Sequence, residues 1–353
     1  MQNDYNSRLQ KVLMGIIEGF CDYFVSVLTK YHGKAPSKIE VSNITVEKRL
    51  GATGIHIVKV LLESDLGSDE ASIAVKIYGE NSQAATVVNK INLLEKRIIP
   101  YKKLGIFSAS VIFFSGSVVI MEGIQGDDFR DSRIPKPQKY RYAGKCLSAF
   151  HNTTINKPWF EKYKLLSSRS IEEIPVDVYT KQKIKEMFNS QIPIVEKNSI
   201  KSGSVSFGDF HPGNLIFDVK IGRKPMIQTY IIDPEFLDMN SEHDRLEDIA
   251  NFFTIETVNQ YRLDKSLSRL TTNIKSFLSG YNEILALEQL SLGSLYPSGY
   301  IPLNFHLALM VLMSILNIQG MLDIFSTELA MANEISLRCE LIQKLLEWQT
   351  FPD

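Results

Sequence analysis

The chain has 353 residues, of which 44% are hydrophobic, and this is enough to bury the core of one large or two ordinary domains. Its 39 basic and 40 acidic side chains nearly cancel, which argues against a nucleic-acid-binding protein and against electrostatic attachment to a membrane. The three cysteines, Cys21, Cys146 and Cys339, are odd in number and far apart. This pattern fits a reducing compartment better than a disulfide framework, so a cytoplasmic protein is predicted.

The amino-terminal stretch VLMGIIEGFCDYFVSVL is apolar enough to resemble a targeting or membrane segment. Glu18 and Asp22 interrupt it, no basic leader precedes it, and it is shorter than a bilayer-spanning helix. We interpret it as an amphipathic helix that packs on the body of the protein, within an extension formed by residues 1–40. An oligomer contact is the alternative role, and a monomer or a homodimer is expected.

The remaining chain divides into two styles of hydrophobic pattern. Residues 41–124 contain β-branched runs such as HIVKVLLE, ASIAVKIYG and SVVIME, with one helical stretch among them. In residues 125–353 most apolar side chains recur at helical spacing, and the main exception is a pair of short strands. The pattern predicts an α+β fold with two lobes, a strand-rich first lobe and a mainly helical second lobe.

Three features of the first lobe suit a nucleotide. Gly51 and Gly54 lie between two strands, where glycines let backbone amides approach a phosphate, although a plain hairpin turn is the alternative. Lys76 lies in the middle of an apolar strand, where an unpaired charge is costly unless the side chain faces solvent. Glu95, on the helix that follows, is the predicted partner of this lysine, with Glu80 as a rival.

The second lobe contains the segment SFGDFHPGNLIFD, in which Asp209 precedes Asn214 within a turn that leads into a strand. The next strand-like run ends in YIIDPEF, with Asp233 and Glu235. Carboxylate and amide oxygens are the ligands that Mg²⁺ prefers. The spacing raises the hypothesis that these groups meet around a metal ion and a phosphate.

The segments FGDFHPGN and IIDPEF resemble the catalytic and metal-binding segments of the aminoglycoside phosphotransferase, choline kinase and methylthioribose kinase superfamily. The resemblance continues in the same order over most of the chain, from Gly51 to the EDIANFF run. It implies a bilobal, protein-kinase-like fold. It also implies an enzyme that transfers the γ-phosphate of ATP, with Mg²⁺, to a hydroxyl group of a small molecule.

The resemblance implies a task for each matching residue. Asp209 would accept or orient the proton of the attacking hydroxyl, Lys76 would neutralise phosphate charge, and Glu95 would position that lysine. The implied magnesium ligands are Asn214, Asp233 and Glu235. The implied nucleotide-binding residues are Lys76, the phosphate loop Gly51, Ala52, Thr53 and Gly54, and the hinge residues Met121, Glu122 and Ile124.

One position departs from the family pattern. Phe207 stands where the family usually has histidine, and we expect the substitution to be tolerated because that histidine has a scaffold role. His211 is interpreted as a turn-stabilising residue and His151 as a packed, hydrogen-bonded histidine. Asp248 matches an acid that supports the catalytic loop, although a simple helix-terminus acid is the alternative.

Two other functional classes compete with the kinase. A nucleotide-binding pseudokinase or regulatory protein is the first, because Phe207 departs from the pattern. A protein kinase is the second, and the absence of an Asp-Phe-Gly and Ala-Pro-Glu pair disfavours it. The predicted acceptor is a sugar, an amino alcohol or an aminoglycoside-like compound, and no nucleic-acid or membrane partner is expected.

Overall fold

The computed structural model describes residue 13 and residues 21–50, 55–151, 161–198, 203–220, 226–296, 301–319 and 328–348. The chain forms two compact units. The first comprises Met1–Asp128 with Ile216–Glu235, and the second comprises Phe129–Leu215 with Phe236–Asp353. The chain therefore leaves the first unit after residue 128 and returns to it at residue 216. The sequence-based division, with one boundary at residue 124, includes no such return.

The elements follow in chain order. The strands are β1 (Ile39–Leu50), β2 (Ile55–Ser64), β3 (Gly67–Ile77), β4 (Ile106–Ser108), β5 (Val111–Ser115), β6 (Val118–Glu122), β7 (Asp127–Asp128), β8 (Ser204–Ser206), β9 (Leu215–Lys220), β10 (Met226–Ile231) and β11 (Asp238–His243). The α-helices are α1 (Cys21–His32), α2 (Asn81–Ile98), α3 (Lys136–His151), α4 (Glu161–Glu173), α5 (Val178–Lys197), α6 (Leu246–Asp264), α7 (Ser268–Leu285), α8 (Leu292–Leu295), α9 (Leu303–Gln319) and α10 (Glu328–Glu347). Short 3₁₀ helices cover Ile99–Leu104, Pro212–Asn214 and Ala286–Glu288.

The first unit contains two sheets. One is antiparallel with strand order β1-β2-β3-β6-β5, and the other has the order β4-β10-β9-β7, in which β10 runs parallel to β4. Alternate side chains of β2 and β3 are buried in one core, and Phe24 and Leu28 of α1 belong to the same core. The second half of the amino-terminal stretch therefore packs on the sheet, as the sequence predicts.

Helix α2 shows the spacing of a helix that is buried along one face. Its buried residues recur every three or four positions and are Ala84, Val87, Ile91, Leu94 and Ile98. This face packs on β4, β5 and β6. The second unit is mainly helical, with the short pair β8 and β11 as its strands. The predicted α+β class is thus confirmed, and no helix among the residues described combines the length and apolarity needed to cross a bilayer.

Helices α3 and α7 of the second unit cross at two glycines. A Cβ atom on Gly144 would lie 2.0 Å from the carbonyl oxygen of Phe277, and one on Gly280 would lie 1.8 Å from that of Arg141. These oxygens belong to helix backbones, so they cannot move without separating the helices. We expect Gly280→Ala to lower the free energy of unfolding by about 1–3 kcal/mol, measured by urea titration.

Gly293→Ala is the matched control for this prediction. Its new Cβ atom would have no neighbouring atom within 4 Å, and the residue lies in α8 of the same unit. Equal urea midpoints for the two variants would contradict the close crossing.

Candidate active site

Lys76 is a buried cation of the first unit. Its side chain extends from β3 and the residue is 2% exposed. The Nζ atom lies 3.3 Å from Asp233 Oδ1 and also forms a close ion pair with Glu235 Oε1. A buried ammonium group needs such partners, because the loss of water would otherwise favour the neutral form. The structure therefore brings together three of the predicted site residues.

The segment that contains these two acids follows β10. Asp233 has a φ of 57°, in the left-handed region that aspartate tolerates better than most side chains. Tyr78 donates its hydroxyl to Glu235 Oε1 over 2.9 Å, and Lys90 of α2 donates to the backbone carbonyl of Glu235. The segment is thus attached both to the strand that carries Lys76 and to helix α2.

Glu95 does not take the place that the sequence predicts for it. Its Oε1 atom accepts a hydrogen bond of 3.0 Å from Ser110 and lies 3.6 Å from Lys102 Nζ. The rival, Glu80, accepts a hydrogen bond from Ser82. The predicted ion pair between Lys76 and Glu95 is therefore wrong in this structure, because the Asp233–Glu235 segment supplies both carboxylates to the lysine.

A cavity in the first unit lies beside this ion pair. Lys76, Tyr78 and Asp233 line it together with the predicted hinge residues Met121, Glu122 and Ile124. Most of its other lining residues are aliphatic, among them Ile55, Ile57, Val87, Ile91, Leu94 and Ile231. An apolar cavity with a few polar or charged groups is the usual form of a small-molecule binding site.

Burial raises the pKa of the Glu122 carboxyl, and the nearby Lys30 and Lys102 partly oppose this rise. The predicted phosphate loop, residues 51–54, lies outside the described residues.

In the second unit, Asp209 and Asn214 share one short loop. The side-chain nitrogen of Asn214 donates to the backbone carbonyl of Asp209 over 2.9 Å. This bond occupies the nitrogen of the amide, so the amide oxygen is the atom left for a cation. The carboxylate of Asp209 has 42% of its side-chain surface exposed, so a substrate can reach it.

His211 stabilises the same loop. Its Nδ1 atom accepts a hydrogen bond of 3.0 Å from the backbone nitrogen of Gly213, at the start of the 3₁₀ turn Pro212–Asn214. The neutral ring therefore carries its proton on Nε2, which lies 3.6 Å from Asp209 Oδ2. This geometry agrees with the interpretation of His211 as a turn-stabilising residue.

Asp248 supports the loop from behind. It is 3% exposed, and its two oxygens accept hydrogen bonds from the backbone nitrogens of Phe207 and Gly208 over 2.7 and 2.9 Å. Ser206 Oγ lies 3.1 Å and His151 Nε2 lies 3.0 Å from the same carboxylate. The loop-supporting role that the resemblance implies for Asp248 agrees with these bonds, and His151 is buried and hydrogen-bonded as expected.

Phe207 fills its position with an aromatic contact. The ring is fully buried and packs edge-to-face against Phe150 and Phe210, with centroid distances of 5.6 Å in both pairs. Its backbone nitrogen still donates to Asp248. The apolar ring therefore replaces the family histidine with packing in an aromatic cluster and leaves the loop's backbone hydrogen bond in place.

Next to Asp248 on helix α6, Glu247 is held in a charged cluster. Burial alone would raise its pKa, but His243 and Lys162 lower the pKa to about 2. In the unfolded chain, the Glu247 carboxyl has an ordinary pKa of 4.5. It therefore becomes protonated at a higher pH in the unfolded chain than in the folded protein. The contribution of Glu247 to stability is therefore complete above pH 4.5 and is lost as the pH falls towards 2.

The lowered pKa of Glu247 predicts that its contribution to stability depends on pH. Wild type is expected to exceed Glu247→Gln in free energy of unfolding at pH 6, and the gap is expected to narrow as the pH falls below 4.5. Urea titrations over that range check it, with Glu288→Gln, an exposed carboxylate of the same unit, as the control. A gap that stays constant with pH would contradict the lowered pKa.

The two predicted magnesium ligands of the first unit, Asp233 and Glu235, are carboxylates, and carboxylate oxygens are hard donors of the kind that magnesium prefers. Among the described residues, no three His, Cys, Asp or Glu side chains form a group able to hold a metal on their own. Magnesium in phosphoryl-transfer sites is held by one or two carboxylates together with phosphate oxygens, so a small protein donor set agrees with it.

Sequence reasoning missed two residues that contact the acids. Tyr78 lies two positions after Lys76, directly after the last residue of β3, so the period of two along an extended chain indicates that both side chains share a face. Lys90 has no comparable signal, because its partner is a backbone carbonyl of a distant segment.

Comparisons with known proteins come from structure alone, since no family model and no curated protein matches the chain. The choline kinase from Streptococcus pneumoniae is 15% identical, with 91% of this chain and 99% of that chain covered and a TM-score of 0.47. A spectinomycin phosphotransferase is 13% identical, with coverages of 93% and 99% and a TM-score of 0.45. An ethanolamine kinase from Plasmodium vivax is 16% identical, with coverages of 86% and 81% and a TM-score of 0.42. At these identities and at TM-scores below 0.5, the likeness carries no argument about the activity of this chain.

Proposed function

We propose that the chain is an ATP-dependent phosphotransferase that moves the γ-phosphate of Mg·ATP to a hydroxyl group of a small molecule. The observation that carries the proposal is the buried Lys76, which is paired with Asp233 and Glu235 beside a mainly aliphatic cavity. Burying an ammonium group with two carboxylates is costly, and such clusters occur where a site must handle charge.

The groups of the first unit match the needs of a nucleotide. The aliphatic lining and the residues Met121 to Ile124 would hold the adenine ring, and Lys76 would neutralise phosphate charge. Asp233 and Glu235 would supply carboxylate oxygens to Mg²⁺, which neutralises the charge that develops on the phosphates during transfer.

The groups of the second unit match the needs of the acceptor. Asp209 would accept the proton of the attacking hydroxyl, and Asn214 would add its amide oxygen to the metal ligands. In the transfer step, the acceptor oxygen would form a bond to the γ-phosphorus while the bond between the γ-phosphorus and the bridging β-phosphate oxygen breaks. ADP leaves with that electron pair, and the hydroxyl proton passes to Asp209.

The proposed acceptor class is a sugar, an amino alcohol or an aminoglycoside-like compound. The near-neutral charge of the whole chain gives no reason to propose a nucleic acid or a membrane surface as the partner. The identity of the acceptor is best obtained from the product itself.

The test follows labelled γ-phosphate from ATP into a size-filtered cell extract, with Mg²⁺ or with EDTA. A new phosphorylated small molecule, identified by its mass and formed only with Mg²⁺, is the expected result. The second candidate function, a nucleotide-binding protein without turnover, is favoured by Phe207 at the position of the family histidine. Mg²⁺-dependent ATP binding without any product would select it.

A further inference from the structure

Glu235 is fixed by three neighbours within the first unit. The hydroxyl of Tyr78 donates to its Oε1 atom over 2.9 Å, and the ammonium group of Lys76 contacts the same oxygen. Lys90 donates to its backbone carbonyl. Side chain and backbone of one residue are thus held by separate elements, β3 for the carboxylate and α2 for the carbonyl.

Tyr78 acts on both members of the ion pair. Besides its hydrogen bond to Glu235, its ring centroid lies 5.5 Å from the Nζ atom of Lys76. An aromatic ring at this distance attracts a cation, and a hydroxyl that donates to a carboxylate forms a charge-assisted bond.

Lys90 provides the connection between helix α2 and the acidic segment. The acid of the same helix, Glu95, is engaged with Lys102 and Ser110 and gives the helix no connection to Lys76. The sequence predicts that helix α2 is connected to the site through an ion pair of Glu95 with Lys76. In the structure, the hydrogen bond from Lys90 to the Glu235 carbonyl makes this connection instead.

We propose that Tyr78 and Lys90 are positioning residues that fix the Asp233–Glu235 segment, so that Glu235 determines where the Lys76 ammonium group lies. The proposal rests on the proposed function, because it assigns a task at the same nucleotide site. Its consequence is that the metal-dependent part of ATP binding depends on Tyr78 and Lys90 although neither is a metal ligand.

The experiment measures ATP binding by calorimetry, with Mn²⁺ as the metal probe and without metal, on the full chain. The dissociation constant without metal, divided by the dissociation constant with Mn²⁺, reports how well the acidic segment is placed for the metal. Tyr78→Phe keeps the ring and removes the hydroxyl, and Lys90→Met keeps the length and removes the charge. Each is expected to reduce the ratio about tenfold, the size of effect that a lost hydrogen bond to a charged group produces.

Matched controls separate positioning from a general loss of structure. Tyr230→Phe removes a hydroxyl that bonds Gln228 in the same unit, and Lys96→Met removes an exposed charge from the same helix as Lys90. Both are expected to keep the wild-type ratio. Lys90→Arg, which retains a donor, is expected to recover most of the ratio that Lys90→Met loses.

The outcomes distinguish the two proposals. If wild type binds ATP equally well with and without Mn²⁺, the proposed function fails and the positioning proposal fails with it. If wild type depends on Mn²⁺ but Tyr78→Phe and Lys90→Met match their controls, the positioning proposal alone is wrong. A loss in Glu95→Gln as large as that in Tyr78→Phe would also overturn it.

Discussion

Replacing Asp209 by asparagine is expected to reduce the rate of phosphoryl transfer about 10²–10⁴-fold while ATP binding stays close to that of wild type. Asparagine keeps the shape of the side chain and removes the basic oxygen that would accept the hydroxyl proton. The bond from Asn214 reaches the backbone carbonyl of Asp209, which the substitution retains. The cavity beside Lys76, where ATP is proposed to bind, is lined by residues of the first unit, which the substitution does not change.

Once the acceptor has been identified from the mass of its product, steady-state kinetics give kcat and the KM for ATP separately. The expected pattern is a fall in kcat with little change in KM, because the lost group acts on the acceptor proton. Asp264→Asn, an exposed acid at the end of helix α6, is the control. Transfer by Asp209→Asn within a few-fold of wild type would remove Asp209 from the mechanism.

Local patterns in the sequence draw attention to Lys76 and Asp233 but do not determine which charged side chains pair with each other. A lysine in an apolar strand and an acid that ends a later strand are visible as local patterns, and the structure joins Lys76 to Asp233. Which acid pairs with the lysine is decided by packing between segments 157 positions apart in the chain. Glu95, on the helix that follows the strand of Lys76, was the partner predicted from the sequence, yet Glu235 is the residue in contact with Lys76.

The fold shows the same limit on reasoning from local pattern. The periodicities of β2, β3 and α2 indicate their elements directly, because buried residues recur at the period of each element. The return of residues 216–235 to the first unit depends on the pairing of β10 with β4 in a parallel register. Parallel pairing joins strands far apart in the chain and leaves no sequence signal of its own.

The loop around Asp209 is supported by Asp248, which lies 40 positions after Gly208 in the chain. Ser206, Phe207 and Gly208 are consecutive, and all three donate to one carboxylate. The resemblance implied that Asp248 would be this acid. The aromatic cluster that accepts Phe207 was not predicted, because one of its rings, Phe150, comes from helix α3, far from Phe207 in the chain.

Asp248→Asn is expected to lower the free energy of unfolding by about 3 kcal/mol, with a loss of turnover as well. Four donors converge on the buried carboxylate, and asparagine would turn an NH₂ group towards some of them. At least one buried donor would then lose its acceptor, and the Phe207 and Gly208 amides would no longer be held together. Urea titration gives the stability change, with Asp264→Asn as the exposed control on the same helix.

Stability and catalysis are separable for this variant. At a temperature and denaturant concentration where Asp248→Asn is fully folded, a fall in kcat reports the altered loop rather than the unfolded fraction. Wild-type kcat in that folded variant would mean that Asp209 keeps its position without the carboxylate behind it. Within the loop, Asp248 bonds Ser206, Phe207 and Gly208. Such a result would therefore assign the placement of Asp209 to the bond from Asn214 and to the turn stabilised by His211.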